Sequence, residues 1–177
     1  MIYLIWLLLV PFELIFTLVA VLLSPILPIF ATEQTGPLNN NTSVGVGPRL
    51  PSWLYWFQTW DNSLNGDDTF EKNNPPSYLS KIKWLIRNPL PCFAEKILTS
   101  NAYTISGNND VTDGNPGVAG HVFVKASGLF QFVWVKPIGF NRCIYINIGW
   151  NIRALTRGAT VPYHATYSFS PRISSFG

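Results

Sequence analysis

The first thirty residues constrain this chain more than any other segment. Met1 to Ala31 contain one residue of the types Asp, Glu, Lys, Arg and His, which is Glu13, in a run that is otherwise almost entirely apolar. A helix needs about 20 mostly apolar residues to cross a bilayer, and Ile2 to Leu23 supplies them. The core helix of a soluble domain carries a polar stripe, which this run lacks. The sequence therefore predicts a transmembrane anchor over residues 1–31.

Two other interpretations of the anchor remain open. A cleaved signal peptide begins with basic residues and has an apolar stretch of only about 7–15 residues, whereas no Lys or Arg precedes Arg49. A hairpin that enters and leaves one leaflet fits the interruptions at Pro11, Pro25 and Pro28. The favoured arrangement is a single span that ends near Ser24, followed by an exit segment in the headgroup region.

Charged residues bear on the orientation and function of this span. Positive charge near a span marks its cytoplasmic side, and Arg49, the basic residue nearest to the anchor, follows it. We therefore expect the C-terminal part of the chain in the cytoplasm. Glu13 is a functional candidate because an ionisable group at membrane depth is costly; alternatively it is neutral, or faces water or a partner helix.

The chain as a whole is apolar and aromatic for its size. Charged residues make up 12% of the 177 residues and aromatic residues 15%. The charged share is about half of the usual value, which favours a surface that contacts lipid or another protein. The net charge of +3 is too small to suggest nucleic acid as a ligand, and beside an anchor it suits attraction to anionic headgroups.

Composition also divides the chain after the anchor. Residues 32–49 are rich in Gly, Asn, Thr, Ser and Pro and predict a flexible linker. Residues 50–177 have a common size for one domain. They predict a single α+β domain that is helical over 50–100 and strand-rich over 102–177. Cys92 and Cys143 are either two buried free thiols or one disulfide.

An aromatic segment follows the linker. Trp53, Trp56, Phe57 and Trp60 have the spacing of one helical face. Trp and Tyr concentrate at the boundary between membrane and water, because their rings are apolar but carry a polar atom. We therefore expect a short helix at the membrane interface, or alternatively rings that fill the domain core.

A second helix is predicted over Tyr78–Asn88, with Ser77 as its N-cap. It has an apolar face with basic residues outside it, so it either lies on anionic lipid or is a domain helix with a solvated basic side. A shorter helix is expected over Cys92–Leu98. The predicted membrane-interface residues are Trp53, Trp56, Phe57, Trp60, Lys81, Lys83, Trp84 and Arg87.

The loop between these helices resembles a cation-binding loop. Oxygen-bearing residues at alternate positions followed by glycine can surround Ca²⁺, which makes Asp61, Asn65 and Asp67 candidate ligands for Ca²⁺ or Mg²⁺. The pattern is broken, since the closing glutamate, Glu71, comes one position early and Asp68 stands at a position that is usually apolar. An ordinary Asx-rich turn explains the same residues.

The C-terminal part predicts β-strands. Candidate strands are His121–Lys125, Phe130–Val135, Cys143–Ile152 and Pro162–Ser170. Alternation of side-chain type within the last two indicates half-buried strands. The short turns between them leave no room for helical crossovers, so we expect a small, mostly antiparallel sheet.

A catalytic constellation is not apparent in the sequence. His121 and His164 lie on predicted strands, away from a nucleophile turn. The two cysteines and two histidines form no close pair of the kind that zinc sites use, and no glycine-rich phosphate loop is present. A membrane-tethered enzyme remains a lesser hypothesis, with Glu71 or Glu95 as acid or base.

Three strings of residues resemble a known group of proteins. They are Trp56-Phe57-Gln58-Thr59-x-Asp61-Asn62-x-x-x-Gly66-Asp67, Tyr78-Leu79-Ser80 and Trp84-x-x-Arg87-Asn88-Pro89. They are similar to a family of uncharacterised, membrane-anchored proteins of tailed bacteriophages. Trp60 replaces an expected proline and Asn65 an expected aspartate, and the second change weakens the cation hypothesis. The resemblance implies a phage gene that acts in a bacterial host, at the inner membrane, and implies no activity.

Together these observations predict a membrane-anchored, non-enzymatic phage accessory protein. Its location would be the host inner membrane, as a single-pass protein. Its aromatic and basic middle segment would contact lipid headgroups or a host or phage membrane protein, and no nucleic acid. The alternatives are a divalent-cation-binding module at residues 61–71 and a component of the virion.

Overall fold

An apolar helix and a five-stranded antiparallel sheet are the largest elements of this α+β fold. The computed structural model describes residues 1–34, 47–111 and 116–177. These residues form two compact units. The first contains Met1–Leu8 and Ala94–Gly177, and the second contains Leu9–Phe93. The boundary after Phe93 thus falls within the region expected to be a single domain.

Helix α1 spans Ile2–Leu23 and begins the chain. Its 22 residues correspond to a length of about 33 Å at 1.5 Å per residue. It is long and apolar enough to cross a membrane. The helix ends at the predicted position, and a 3-10 helix, Leu27–Phe30, follows a short turn.

The second unit has a small core made by short elements. Strands β1 (Thr32–Gln34) and β2 (Gly47–Arg49) pair antiparallel, so both ends of the predicted linker are ordered; its remainder, 35–46, lies outside the described residues. A 3-10 helix, Ser52–Phe57, and helices α2 (Asp68–Asn73) and α3 (Tyr78–Arg87) follow. The buried core residues are Leu27, Leu50, Leu54, Leu64, Phe70, Trp84 and Leu85.

The predicted start of α3 is confirmed. The Ser77 hydroxyl accepts a hydrogen bond from the Ser80 amide at 3.1 Å, and the Ser80 hydroxyl accepts one from the Ser77 amide at 2.8 Å. This reciprocal capping satisfies two amides that the helix itself leaves unpaired. The helix ends at Arg87, before Pro89, because proline disfavours a helical conformation in the residue that precedes it.

Two predicted helices differ from the structure. The aromatic segment forms a 3-10 helix with a kink at Leu54, and Trp60 lies beyond its end. The expected face from Trp53 to Trp60 is therefore not formed. The helix expected over Cys92–Leu98 is wrong: Ala94 has a left-handed φ of 48°, which ends any helix there.

The segment after Ala94 forms a strand instead. Strand β3 (Lys96–Leu98) pairs antiparallel with β8 (Tyr163–Ala165). The partner strand lies far away in the sequence, so local helical spacing could not reveal this pairing.

The predicted antiparallel sheet is confirmed. Its strands are β4 (Tyr103–Gly107), β5 (Gly120–Ala126), β6 (Leu129–Gly139), β7 (Arg142–Trp150) and β9 (Tyr167–Ser175), in the order β4-β5-β6-β7-β9. Strand β4 was not predicted. The expected strand Pro162–Ser170 is divided between β8 and β9, which belong to different sheets.

The sheet has an inner face that is buried at its centre and an outer face that is partly exposed. Val122, Val133 and Tyr145 on the inner face have no exposed surface. A polar contact joins strand to loop on this face, since the Gln131 side-chain oxygen accepts hydrogen bonds from the amides of Ile152 and Arg153 at 2.8 Å. The outer face is defined by Phe123, Lys125, Phe130, Phe132, Trp134, Lys136, Ile144, Ile146, Ile148, Phe169 and Ile173.

Candidate membrane-contact surfaces

Helix α1 exposes most of its apolar side chains. Leu8, Leu18 and Leu22 are 60%, 62% and 69% exposed. In a helix of a folded domain such side chains would be buried, because exposing large contiguous apolar surface to water is unfavourable. The exposed side of α1 is thus the largest candidate surface for contact with lipid.

One stripe of α1 is less exposed than the rest. Trp6 and Ala20 are buried, and Glu13 and Thr17 between them are half-buried. The Thr17 hydroxyl donates to a carboxylate oxygen of Glu13 at 3.3 Å. The ionisable residue therefore lies on the protected stripe of the helix and away from its exposed apolar side.

Within the first unit, the beginning of α1 packs on the outer face of the sheet. The indole nitrogen of Trp6 donates to the Ser168 carbonyl at 3.2 Å, and the Tyr167 hydroxyl donates to the Trp6 carbonyl at 2.9 Å. The Trp6 ring also lies 5.9 Å from Phe130 and 6.0 Å from Phe169. These contacts hold the first two turns of α1 on strands β6 and β9.

Within the second unit, two of the predicted interface residues are exposed beside the anchor. Trp53 is 68% exposed and its ring lies 5.6 Å from Phe30. Trp56 is 48% exposed and its ring lies 6.2 Å from Phe16 of α1. Exposed tryptophans next to an apolar helix are typical of a membrane–water boundary. We call Phe16, Phe30, Trp53 and Trp56 the aromatic exit cluster.

One other predicted interface residue, Trp84, belongs to the core, which corrects its assignment. Trp84 is 3% exposed and packs on Phe70 with ring centroids 5.0 Å apart. Phe57 is half-buried against the same core, and Trp60 is half-buried after the 3-10 helix. Helical spacing identifies residues that share a face but does not show what covers that face.

The predicted basic residues of α3 are partly engaged in local contacts. Arg87 is exposed, lies 3.7 Å from the Asp67 carboxylate and stacks over Trp84 at 5.3 Å. The ammonium group of Lys83 donates to the Asn74 side chain at 3.3 Å, and Lys81 is half-buried. The basic side of α3 is therefore solvated and tied to its own unit, and such exposed pairs contribute little stability.

The predicted cation ligands each make a separate contact. Asp67 is the N-cap of α2, accepting from the Phe70 amide at 2.8 Å, and Asp61 accepts from the Asn62 side chain at 2.8 Å. The backbone amide of Asn65 donates to the Ser63 hydroxyl at 3.2 Å, whereas its side-chain oxygen has no hydrogen-bond partner among the described residues. Among the described residues, no group of three or more His, Cys, Asp or Glu side chains could hold a metal ion. These contacts favour the turn interpretation, and the Ca²⁺ or Mg²⁺ site stays a prediction.

Arg49 at the end of β2 is fully buried, which the sequence did not indicate. In the part of the chain that the structure describes, none of its three guanidinium nitrogens has a hydrogen-bond partner. Loss of solvation by burial lowers the pKa of Arg49 from its ordinary value, and the negative charge of Asp61 opposes this shift. The residue that suggested the membrane orientation is thus part of the fold of the second unit.

Glu95, a candidate acid or base, lies against His164. A carboxylate oxygen of Glu95 contacts Nδ1 of His164, and the two side chains are 9% and 5% exposed. A carboxylate can orient an imidazole in this way in hydrolases, but here the contact links the segment that enters β3 to β8. Cys92 and Cys143 are both buried and are not joined in a disulfide.

Comparison with family models identifies a family of unknown function, DUF7338, whose model matches residues 1–175. Comparison with curated proteins and with solved structures gives no match. The family match covers nearly the whole chain and carries no activity.

Proposed function

Since the chain belongs to the DUF7338 family of unknown function, we propose that it is a membrane-anchored, non-enzymatic accessory protein that contacts lipid headgroups beside its anchor. One observation carries this proposal: the apolar side of α1 is exposed, and the aromatic exit cluster lies next to it. The bilayer accounts for both features, because hydrocarbon accepts the leucines and the headgroup region accepts the tryptophans.

The free energy available to such an anchor is large. Removing one leucine side chain from water contributes about 1.5–3 kcal/mol, and α1 exposes leucine at positions 4, 7, 8, 14, 18, 22 and 23. Several such side chains buried in lipid would hold the protein at a membrane without a further binding partner.

The finer location rests on the sequence. The resemblance to phage proteins supports an origin in a phage gene and a place in the host inner membrane. Arg49, as the first basic residue after α1, supports a single-pass arrangement with the C-terminal part in the cytoplasm. A host or phage membrane protein at the aromatic exit cluster is the other partner that this proposal allows.

The contacts of Trp6 favour a second arrangement, in which the unbroken helix α1 lies along one leaflet without crossing it. A span with all later residues on its C-terminal side would separate Trp6 from Ser168 by much of a hydrocarbon core of about 30 Å. Their hydrogen bond requires both residues on the same side of that core. The two arrangements differ in where the N-terminus lies.

Alkaline carbonate washing of membranes tests the anchor. We expect the intact protein to stay in the membrane fraction, and the triple variant Leu8→Gln, Leu18→Gln, Leu22→Gln to be released. The matched control carries isoleucine at the same three positions, which keeps the apolar surface. Release of the intact wild-type chain into the soluble fraction would overturn the proposal.

Labelling of cysteines with a membrane-impermeant reagent distinguishes the two arrangements. Ile2→Cys and Gly177→Cys place a reactive thiol at each end, while the two native thiols are buried. Reaction of both positions from one side supports the one-leaflet arrangement. Reaction from opposite sides supports the single span.

The two alternatives from the sequence have direct tests as well. Mass spectrometry of purified particles would detect the chain if it were a virion component. Calorimetric titration of the intact protein with CaCl₂ or MgCl₂ would give heat if the 61–71 loop bound a cation, and Asp61→Asn would abolish that heat.

A further inference from the structure

The outer face of the sheet carries mainly apolar side chains, and the beginning of α1 packs on part of it. Phe132, Trp134 and Ile146 are cross-strand neighbours on this face and are half-buried. Ile173 of β9 is 64% exposed. The solvated face of an antiparallel sheet normally carries polar residues, so this composition indicates a surface that is covered in the functional state.

The charges of the sheet are all of one sign. The five described strands contain Lys125, Lys136, Arg142 and Arg172 and no Asp or Glu. Lys125 and Lys136 belong to the outer face by register. The Lys125 ammonium lies 5.7 Å from the ring centroid of Tyr3 in α1 and 5.6 Å from that of Phe123. An apolar face with positive charges among its aromatic rings is complementary to an anionic lipid surface.

The hairpin between β6 and β7 ends in an unusual turn. Phe140 and Asn141 form a two-residue connection with φ values of 52° and 54°. Such turns favour Asn-Gly or Asp-Gly, because both positions are left-handed, and a bulky side chain there is strained. Phe140 is nevertheless present and fully exposed. A strained residue at an exposed tip suggests a role outside the fold itself.

We propose that the outer face of the sheet, together with the Phe140 tip, lies against the surface of an anionic bilayer. This inference rests on the proposed function, because α1 is what brings the protein to the membrane. The same helix favours lipid as the partner of this face, because its first turns pack on the face and bring it to the bilayer. Hydrocarbon and acidic headgroups match the apolar centre and the two lysines.

Spin labels on the full chain test this contact. The intact protein is placed in vesicles of phosphatidylcholine with phosphatidylglycerol, with a label at Phe140→Cys or Ile146→Cys. The matched control is a label at Thr160→Cys. Thr160 is exposed and follows the segment in which the Ile152 amide donates to Gln131 on the inner face. Accessibility to oxygen, which dissolves in lipid, is compared with accessibility to an aqueous nickel chelate.

We expect the ratio of oxygen to nickel accessibility to be several-fold higher at positions 140 and 146 than at 160. The ratio should fall when phosphatidylglycerol is omitted. Ratios at both positions equal to that of the control would overturn the proposal. Spin–spin broadening between labels at 146 would also overturn it, because a second copy would then cover the face.

The variant Phe140→Asn separates lipid contact from a structural role. Asparagine suits the left-handed turn, so we expect the thermal midpoint of unfolding to rise while the oxygen ratio of the label at 146 falls. A lower midpoint would show that Phe140 stabilises the fold, which contradicts its proposed role. Carbonate washing of the same labelled chains shows which proposal fails. If the chain stays in the membrane fraction while its labels are accessible to the nickel chelate, the contact of the sheet with lipid is refuted and the anchor stands. If the chain is released, the anchor itself is refuted.

Discussion

The two faces of the sheet differ in a way that hydrophobicity alone does not explain. In strand β7, the row that contains Cys143, Tyr145 and Asn147 is fully covered, whereas Ile144 and Ile146 are half-exposed. The covered row is the more polar one. Which face of this sheet is buried is therefore determined by the segments that pack on it. Polar side chains can lie on the covered face because hydrogen bonds satisfy them.

That network centres on Gln131. Besides accepting from two amides, its side chain donates to Asn147 at 3.0 Å and to Asn151 at 3.2 Å, and Asn151 in turn donates to the Thr166 hydroxyl at 2.9 Å. The outer face carries mainly aromatic and isoleucine side chains instead. Four substitutions would break or sharpen this comparison.

Gly149→Ala should have the largest effect. Gly149 has a φ of 106°, and a Cβ atom there would collide with the backbone carbonyl of Phe130. We expect a loss of at least about 3 kcal/mol, since left-handed strain and backbone displacement add. Chemical denaturation in detergent measures it. Gly128→Ala is the control, because its φ is 81° and no atom lies within 4 Å of the added group; an equal loss there would contradict the clash.

Gln131→Ala tests the network on the inner face. It leaves the amides of Ile152 and Arg153 without their acceptor, and each unsatisfied buried group costs about 1–3 kcal/mol. We expect a loss of about 3 kcal/mol in the same denaturation experiment. A loss below about 1 kcal/mol would show that water replaces the side chain and that the inner face is not closed.

Arg49→Met extends the comparison to a buried polar group that has no hydrogen-bond partner among the described residues. Replacing a buried charge by an apolar side chain of similar volume is often stabilising by about 1–4 kcal/mol. We therefore expect the free energy of unfolding to rise by about 1 kcal/mol or more. The control is Arg87→Met, at an exposed position with a surface ion pair. Destabilisation by Arg49→Met would show that a bound group or water satisfies the guanidinium.

Ile146→Thr on the outer face should have the smallest effect on stability. The residue is half-exposed and threonine keeps a β-branched side chain, so a loss of no more than about 1 kcal/mol is expected in detergent. In anionic vesicles, the oxygen ratio of a label at Phe140→Cys should fall when this change is added. A stability loss as large as that of Gln131→Ala would show that the outer face is an internal core.

Much of the fold follows from local patterns. The length of the apolar run predicted α1 and its end, and Ser77 before an amphipathic segment predicted α3. Alternation of side-chain type predicted the central antiparallel strands. These features depend on residues close together in the chain, where periodicity, capping and proline act directly. Trp53 and Trp56 are exposed, and their place at a membrane interface stays a prediction.

Other features required contacts between residues far apart. Trp84 is covered by Phe70, Trp6 bonds to Ser168, β3 pairs with β8, and Arg49 is enclosed at the end of β2. Residue type and spacing do not state which face of an element another segment will cover, or which distant backbone will pair with it. An apolar membrane-compatible helix was therefore readable from composition alone. The surface of the sheet that we assign to lipid could be identified only from the strand register, which places isoleucines on the outer face and an asparagine on the inner face.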